Sequence, residues 1–450
     1  MMNQRNLLRL LGTVGAGVSA AAALAAPIRF ATPGDDQGRS VAVHNATGDF
    51  IVAGTAYNGP VAHNEMFVAR YSPGGALLWA QVFGLNGDDA ANAVAINQVT
   101  GEIYVAGHIS PAVGVQTDAM VLRLSPGGVL LGSVIYAGGA GLDDSFKHLV
   151  VTPAGQVFAA GLTDNGGASG DDLLAARYTA GLGIVWQNMW ISPFGDETVK
   201  SVAFSPAGLY LAGSRTSPMG DLDGITVRFF PGTGAFLGVR LNTGAAGADA
   251  ETNAVATDVA GDVYTCSSET TAAGDVQIRT TRSNASFTSL RWSNVFNAVG
   301  GINRDQAADM VVGGPGVVIG ASSTMVSGPD ADYVVYCLNP ATGAFRPGWF
   351  ATYDNGGADI VTDITLDIAG NTLVAGISGN GANRDFAVGK LDMVGATMWM
   401  TRYDNGGHDD PMSLAIGAGM MPIVTGRSEA AGLGFDVLSL RLNPASGAIL

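Results

Sequence analysis

Short apolar runs of about five residues recur along the whole chain, broken by Gly, Pro, Asn and Asp. Ala93, Val94, Ala95 and Ile96 form one run, and Thr100-Gly101 turns into a second from Ile103 to Ala106. A longer loop leads to a third from Met120 to Leu124. Ser125-Pro126-Gly127-Gly128 then turns into a fourth that ends at Tyr136. Four short runs joined by turn residues predict a four-stranded antiparallel unit, and no 3.6-residue period competes with it.

The unit repeats eight times at a spacing of about 53 residues. Its third strand opens on an acid: Glu65, Asp118, Asp172, Asp223, Asp275, Asp332, Asp385 and Asp436. Five places later stands a basic or polar residue in most units, such as Arg70, Arg123 and Lys390. A second acid opens each unit, as Asp36, Asp89, Asp144, Glu197, Asp305, Asp359 and Asp409, with Ala250 the exception. Gly closes the second strand at Gly54, Gly107, Gly161, Gly213, Gly320, Gly376 and Gly426, where the remaining unit has Cys266. Trp79, Trp186, Trp292, Trp349 and Trp399 recur in the fourth strand, a position that suits packing between neighbouring sheets.

Four-stranded units of even length predict an all-β, eight-bladed β-propeller. An open solenoid is the other architecture for such an array, and it needs caps at both ends. Register chooses between them. Leu450 aligns with Leu78, so the next place belongs to Trp79, and counting back from Asp36 aligns Ala26 with that same tryptophan. Residues 26–30 are therefore expected to complete the eighth blade and close the ring. Residues 1–25 read as an export signal, with Arg5 and Arg9 before an uncharged stretch and a small-residue cleavage pattern at Ala23-Leu24-Ala25. That leaves 26–450 as one propeller domain, expected as a monomer in the periplasm or outside the cell.

The stretches Asp359 through Thr365, Gly370 through Gly376, Asp385 through Leu391 and Trp399 through Gly407 resemble the bacterial β-propeller repeats of the SBBP type, found in many exported bacterial proteins. The resemblance covers roughly residues 26–450. It implies the propeller fold and export, and it carries no shared activity and no catalytic residues.

Composition narrows the partners. The formal charge is −16, and it becomes −18 when Arg5 and Arg9 are removed, so phosphate backbones and anionic membranes are repelled and nucleic acid is excluded as a partner class. Cys266 and Cys337 fit either a disulfide or two small buried residues. The five histidines are scattered, and no metal-ligand spacing, nucleophile elbow or phosphate loop appears.

Both acid sets sit beside the longer loops between strands two and three, which makes that end the expected working face. Asp36, Asp89, Asp144, Glu197, Asp305, Asp359 and Asp409 are its candidate ligand-binding residues. The same acids equally suit turn-capping, with backbone N–H groups as donors. Two loops carry two carboxylates and an amide across a Gly turn: Asp354, Asn355 and Asp359, and Asp404, Asn405 and Asp409. Ca²⁺, which takes six to eight oxygen ligands, is the cofactor that suits them. The expected function is a binding or interaction module with an unknown protein or small ligand as partner. A propeller-type enzyme (a metal-dependent hydrolase or a quinone-dependent dehydrogenase) and a structural envelope or matrix component are the competing classes. The export reading has a direct check: mass spectrometry of the secreted protein is expected to find Ala26 at the N-terminus, and an uncleaved, membrane-held chain would refute it.

Overall fold

The computed structural model describes residues 9–10, 27–59, 63–111, 114–139, 141–166, 170–298, 303–324, 330–379, 383–430 and 434–450. Eight antiparallel sheets follow one another as blades 1 to 8, at 37–84, 90–136, 144–190, 201–242, 250–296, 306–353, 359–403 and 409–441. In each, the strands lie in chain order from first to fourth, and the fold is an eight-bladed β-propeller. Blade 8 takes its outermost strand from the other end of the chain. Ile28–Phe30 runs antiparallel to Gly434–Arg441, with Phe30 opposite Val437. Phe83 stands opposite Met66 in the same place in blade 1, so the aligned register holds residue by residue. Most of the expected export segment lies outside the described residues. Of it, Arg9 and Leu10 pair with Gly84 and Phe83. No helix among the described residues is long and apolar enough to cross a membrane.

The chain divides into two compact units. One comprises residues 1–164, 177–185 and 405–450, and therefore holds blades 8, 1 and 2 and part of blade 3. Phe30, Val41, Phe50, Phe67, Ile423 and Val437 pack blade 8 onto blade 1. Ile51, Met66, Phe83, Val94, Ile103 and Met120 pack blade 1 onto blade 2. The other unit, 165–176 and 186–404, holds the rest of blade 3 and blades 4 to 7. There Tyr264, Trp292, Phe296, Met310 and Tyr336 join blades 5 and 6, and Tyr333, Trp349, Val361 and Val374 join blades 6 and 7.

Three recurring details explain the repeat. The second-strand glycine faces a β-bulge in the first strand, as between Gly38 and Ser40, Ala91 and Ala93, or Phe146 and His148. A Cβ at Gly54, Gly107, Gly161, Gly213 or Gly376 would overlap a carbonyl oxygen of that strand. Just past the bulge, Ser40, Ser201 and Ser413 accept the N–H of Val94, Val255 and Val41 in the next blade. The rings of Trp79, Trp186, Trp292 and Trp349 cover the turn between strands three and four of the following blade. Each Nε1 donates there, to Pro126 O from Trp79, Pro231 O from Trp186, Pro340 O from Trp292 and Met393 O from Trp349, at 2.8–3.0 Å.

The basic marker of strand three holds its own blade's first turn. Arg70 pairs with Asp49 at 2.6 Å, Arg123 with Glu102 at 2.5 Å and Lys390 with Asp367 at 2.9 Å. Cys266 and Cys337 are separate, buried thiols, and burial pushes both up to about 12. The bulge contact sets a stability test. Gly107→Ala is expected to lower unfolding free energy by about 1–3 kcal/mol in urea melts, because the backbone must move. Gly132→Ala, whose Cβ meets nothing within 4 Å, is the neutral control.

Candidate functional site

Antiparallel order places the start of strand three and the link into the next blade at the same end of the sheet. The two acid markers therefore meet between blades. Asp89 N donates to Asn64 O, Asp144 N to Thr117 O, Glu197 N to Asp171 O and Asp359 N to Ala331 O, each beside a strand-three acid. Asp36, Asp89, Asp144, Glu197, Asp305, Asp359 and Asp409 are all buried, at 0–1% exposure. Of the strand-three acids, all but Asp118 and Asp275 are buried as well.

The opening acids cap their own link. Asp36 accepts from Thr32 N and Tyr57 N, Asp89 from Leu85 N and Ser110 N, and Asp144 from Gly138 N. Glu197 accepts from Ser192 N, Asp305 from Ala298 N, and Asp359 from Asn355 N. One carboxylate thus ties together the end of one blade and the start of the next, which is the structural role that recurrence in nearly every blade implied.

A buried carboxylate beside another carries an electrostatic cost, and the blades meet it differently. Two pairs hold a proton. Burial, with Glu65 alongside, lifts Asp89 to about 8. Burial and then the charge of Asp172 lift Glu197 to about 9. Asp36 rises to about 6, chiefly from burial, with Asp436 adding to the shift. Elsewhere an arginine stands in. Arg29 pairs with Asp436 at 3.2 Å, and Arg402 with Asp385 at 2.6 Å. Where Ala250 replaces the opening acid, Arg215 pairs with Asp223 at 3.1 Å.

The exposed acids lie one residue earlier. Asp35, Asp88, Asp143, Asp196 and Asp249 are all exposed. Each spends one oxygen on a strand-three N–H, from Phe435, Asn64, Thr117, Asp171 and Leu222 respectively, at 2.7–3.2 Å. The doublet spelling Asp-Asp or Asp-Glu was the available signal; only burial separates its two members. Asp88 and Asp143 join Asp164, Ser110, Gln116, Thr117 and Leu142 around an open hollow of about 490 Å³.

Of the two candidate metal loops, the first has a further carboxylate beside it that spacing did not reveal. Asp354 and Asp359 gather with Asp332, with one ligand atom from each within 4.8 Å of the others. Asn355 serves the turn, its N donating to Asp359 Oδ2 and its side chain to Gly379 O. In the second loop Asp404 is bound by Arg402 at 2.8 Å, and Asn405 donates to Ser428 Oγ and Glu429 O. Asp409 is buried at the start of blade 8.

No family profile and no curated protein matches this chain. Solved structures share its fold. Sqt1 from Saccharomyces cerevisiae aligns with a TM-score of 0.55 at 10% identity, over 91% of this chain and 97% of that one. Sqt1 from Chaetomium thermophilum gives 0.55 at 11%, over 91% and 97%. A europium-containing methanol dehydrogenase gives 0.51 at 12%, over 97% and 94%. At these identities the likeness is one of fold alone.

The proton-holding pairs make stability depend on pH. An acid whose folded pKa is raised stabilises the fold fully below its unfolded value, about 4, and loses that contribution as pH rises through the folded value. Glu197 and Asp89 therefore place the loss between about pH 4 and their values near 9 and 8. Thermal melts are expected to show Glu197→Gln gaining stability relative to wild type from pH 5 to pH 9. An unchanged difference across that range would refute the shared-proton pair.

Proposed function

We propose that this chain is an exported, non-catalytic interaction module of SBBP-type repeats. In this reading it takes a cationic partner segment at the end of the blades that carries the loops between strands two and three. The observation that carries it is the recurrence of exposed aspartates within each unit by itself, Asp35, Asp88 and Asp143 in one and Asp196 and Asp249 in the other. Each is anchored by a backbone N–H, so its free oxygen is presented without further ordering cost. The hollow beside Asp88, Asp143 and Asp164 adds concave polar surface. Its walls carry carboxylate, hydroxyl and amide groups beside Val115 and Leu142, which suits hydrogen bonding to ammonium groups, and the lining residues offer no aromatic ring on which sugars or bases would stack.

The overall negative charge favours encounter with a basic segment and opposes nucleic acid. Export agrees with the N-terminal segment, and the SBBP-type repeats agree with the blade motifs.

The test uses a fluorescent hexalysine peptide titrated by anisotropy at low salt. Asp143→Asn keeps the acceptor for Thr117 and removes the charge, and it is expected to weaken binding roughly two- to fivefold. Asp392→Asn makes the same charge change in a turn at the other strand end and is expected to leave binding unchanged. Equal losses in both variants would reduce the attraction to net charge and sink the reading.

A further inference from the structure

The geometry points to a second binding site, for a small carboxylate or phosphate anion, around Arg39 on the first strands of blades 1 to 3. It does not depend on the cationic segment proposed for the loop end. Its residues all lie in one compact unit. The first-strand bulges of these blades present Arg39, Asn92 and Lys147, each three residues after its opening acid. Arg39 Nη1 donates to Asn92 Oδ1 at 2.7 Å. The Asn92 amide donates in turn to Ser145 Oγ at 3.2 Å and to Phe146 O at 2.8 Å, and Ser145 Oγ lies 3.1 Å from His108 Nδ1. One hydrogen-bonded chain thus links a guanidinium to an imidazole.

Arg39 lacks a carboxylate. It is half-buried, and its hydrogen bond among the described residues goes to a neutral amide. Burial and then the like charge of Arg427 pull it below the usual arginine value. Arg427 itself is matched, pairing with Asp410 at 2.7 Å and lying 4.4 Å over the Phe435 ring. Arg39 stays charged all the same, because a guanidinium keeps its proton in proteins. The equivalent cation in another blade is neutralised. Lys200 stands three residues after Glu197 in blade 4, and its Nζ meets Glu251 Oε2 of blade 5 at 2.5 Å. Glu251 follows Ala250, the opening place of blade 5, and the matching place after Asp89 in blade 2 is Ala90. Arg39 therefore has the cation of the repeat without its acid.

The surroundings are positive as well. Burial, then the charges of Lys147 and Arg39, push His108 down to about 4, and Asp143 and Asp88 oppose this less strongly. In a chain of net charge −16 this reverses the overall field. The neutral ring is also set as a donor. Ser145 Oγ accepts from Asn92, so its own proton goes to His108 Nδ1, and the ring proton stays on Nε2. His108 makes no other hydrogen bond among the described residues. A guanidinium fork beside an imidazole N–H suits the paired oxygens of a carboxylate or phosphate. A bound anion also offsets the cost of a half-buried charge that has no counter-ion.

The experiment follows the ring signals of isotope-labelled histidine by NMR at neutral pH. Sodium phosphate and sodium acetate are titrated in separate arms at constant ionic strength, balanced with NaCl. The His108 signal, identified by its loss in His108→Gln, is expected to shift and saturate with at least one of the two anions, and the stronger arm names the ligand class. Arg39→Gln is expected to weaken that binding at least fivefold. Arg39→Lys keeps the charge and loses the fork, so a loss of about two- to fivefold is expected, and it decides the matter should Arg39→Gln fail to fold. Arg291→Gln makes the same charge change at an exposed arginine of the other unit and is expected to bind as wild type does. No saturable shift in wild type with either anion, wild-type binding in the Arg39 variants, or an equal loss in Arg291→Gln would overturn the assignment.

Discussion

The contact on which the rest depends is the meeting of two acids between blades, as at Glu65 and Asp89 or Asp172 and Glu197. The opening acid of one blade accepts N–H groups from its own link and from the second strand it precedes, as Asp36 does from Thr32 and Tyr57. That capping holds neighbouring sheets at a fixed spacing, and it requires the carboxyl to be buried. Placing the strand-three acid alongside then concentrates negative charge where water cannot screen it. Several junctions offset that cost with a proton or a cation. Glu65–Asp89 and Asp172–Glu197 take the proton, whereas Asp385, Asp436 and Asp223 take arginine.

The remaining repeat positions serve the same geometry. The bulge and its facing glycine let the first strand crowd the second, and the freed serine side chain reaches the next blade. The tryptophans fasten the opposite end of the strands by sitting on the neighbouring turn. Strand three carries an acid at one end and a base at the other for distinct purposes. The acid joins blades, and the base closes its own blade's first turn, as Arg70 does with Asp49. Substitutions within this scheme are compensated locally. Ala250 removes one acid, and Arg215 neutralises the acid that is left.

A scaffold held this way leaves its chemistry to side chains that the junctions do not consume. The exposed aspartates are in that class, because a single backbone N–H satisfies one oxygen and leaves the other toward solvent. Structures sharing the fold at 10–12% identity include Sqt1 and a methanol dehydrogenase, so architecture by itself does not choose among activities. The distribution of acids between burial and exposure is what the proposed recognition of cationic groups rests on.

Much of the architecture was legible in the sequence alone, because its determinants are local and repeated. Turn residues and apolar runs marked the four strands, the period marked eight blades, and counting from Asp36 placed Phe30 in the eighth sheet, where it pairs with Val437. The sequence also identified the acids as a set, and it selected Asp354 and Asp359 as neighbours in a loop. It did not separate Asp88 from Asp89, since adjacent residues differ only in the direction their side chains take, and strand geometry sends one inward and one to solvent. Nor did it reveal Asp332 beside Asp359, or Arg402 among the acids of its own junction. Those relations join residues on different strands, so the pairing of strands and the stacking of blades decide which charges are buried, which are neutralised and which remain free to bind.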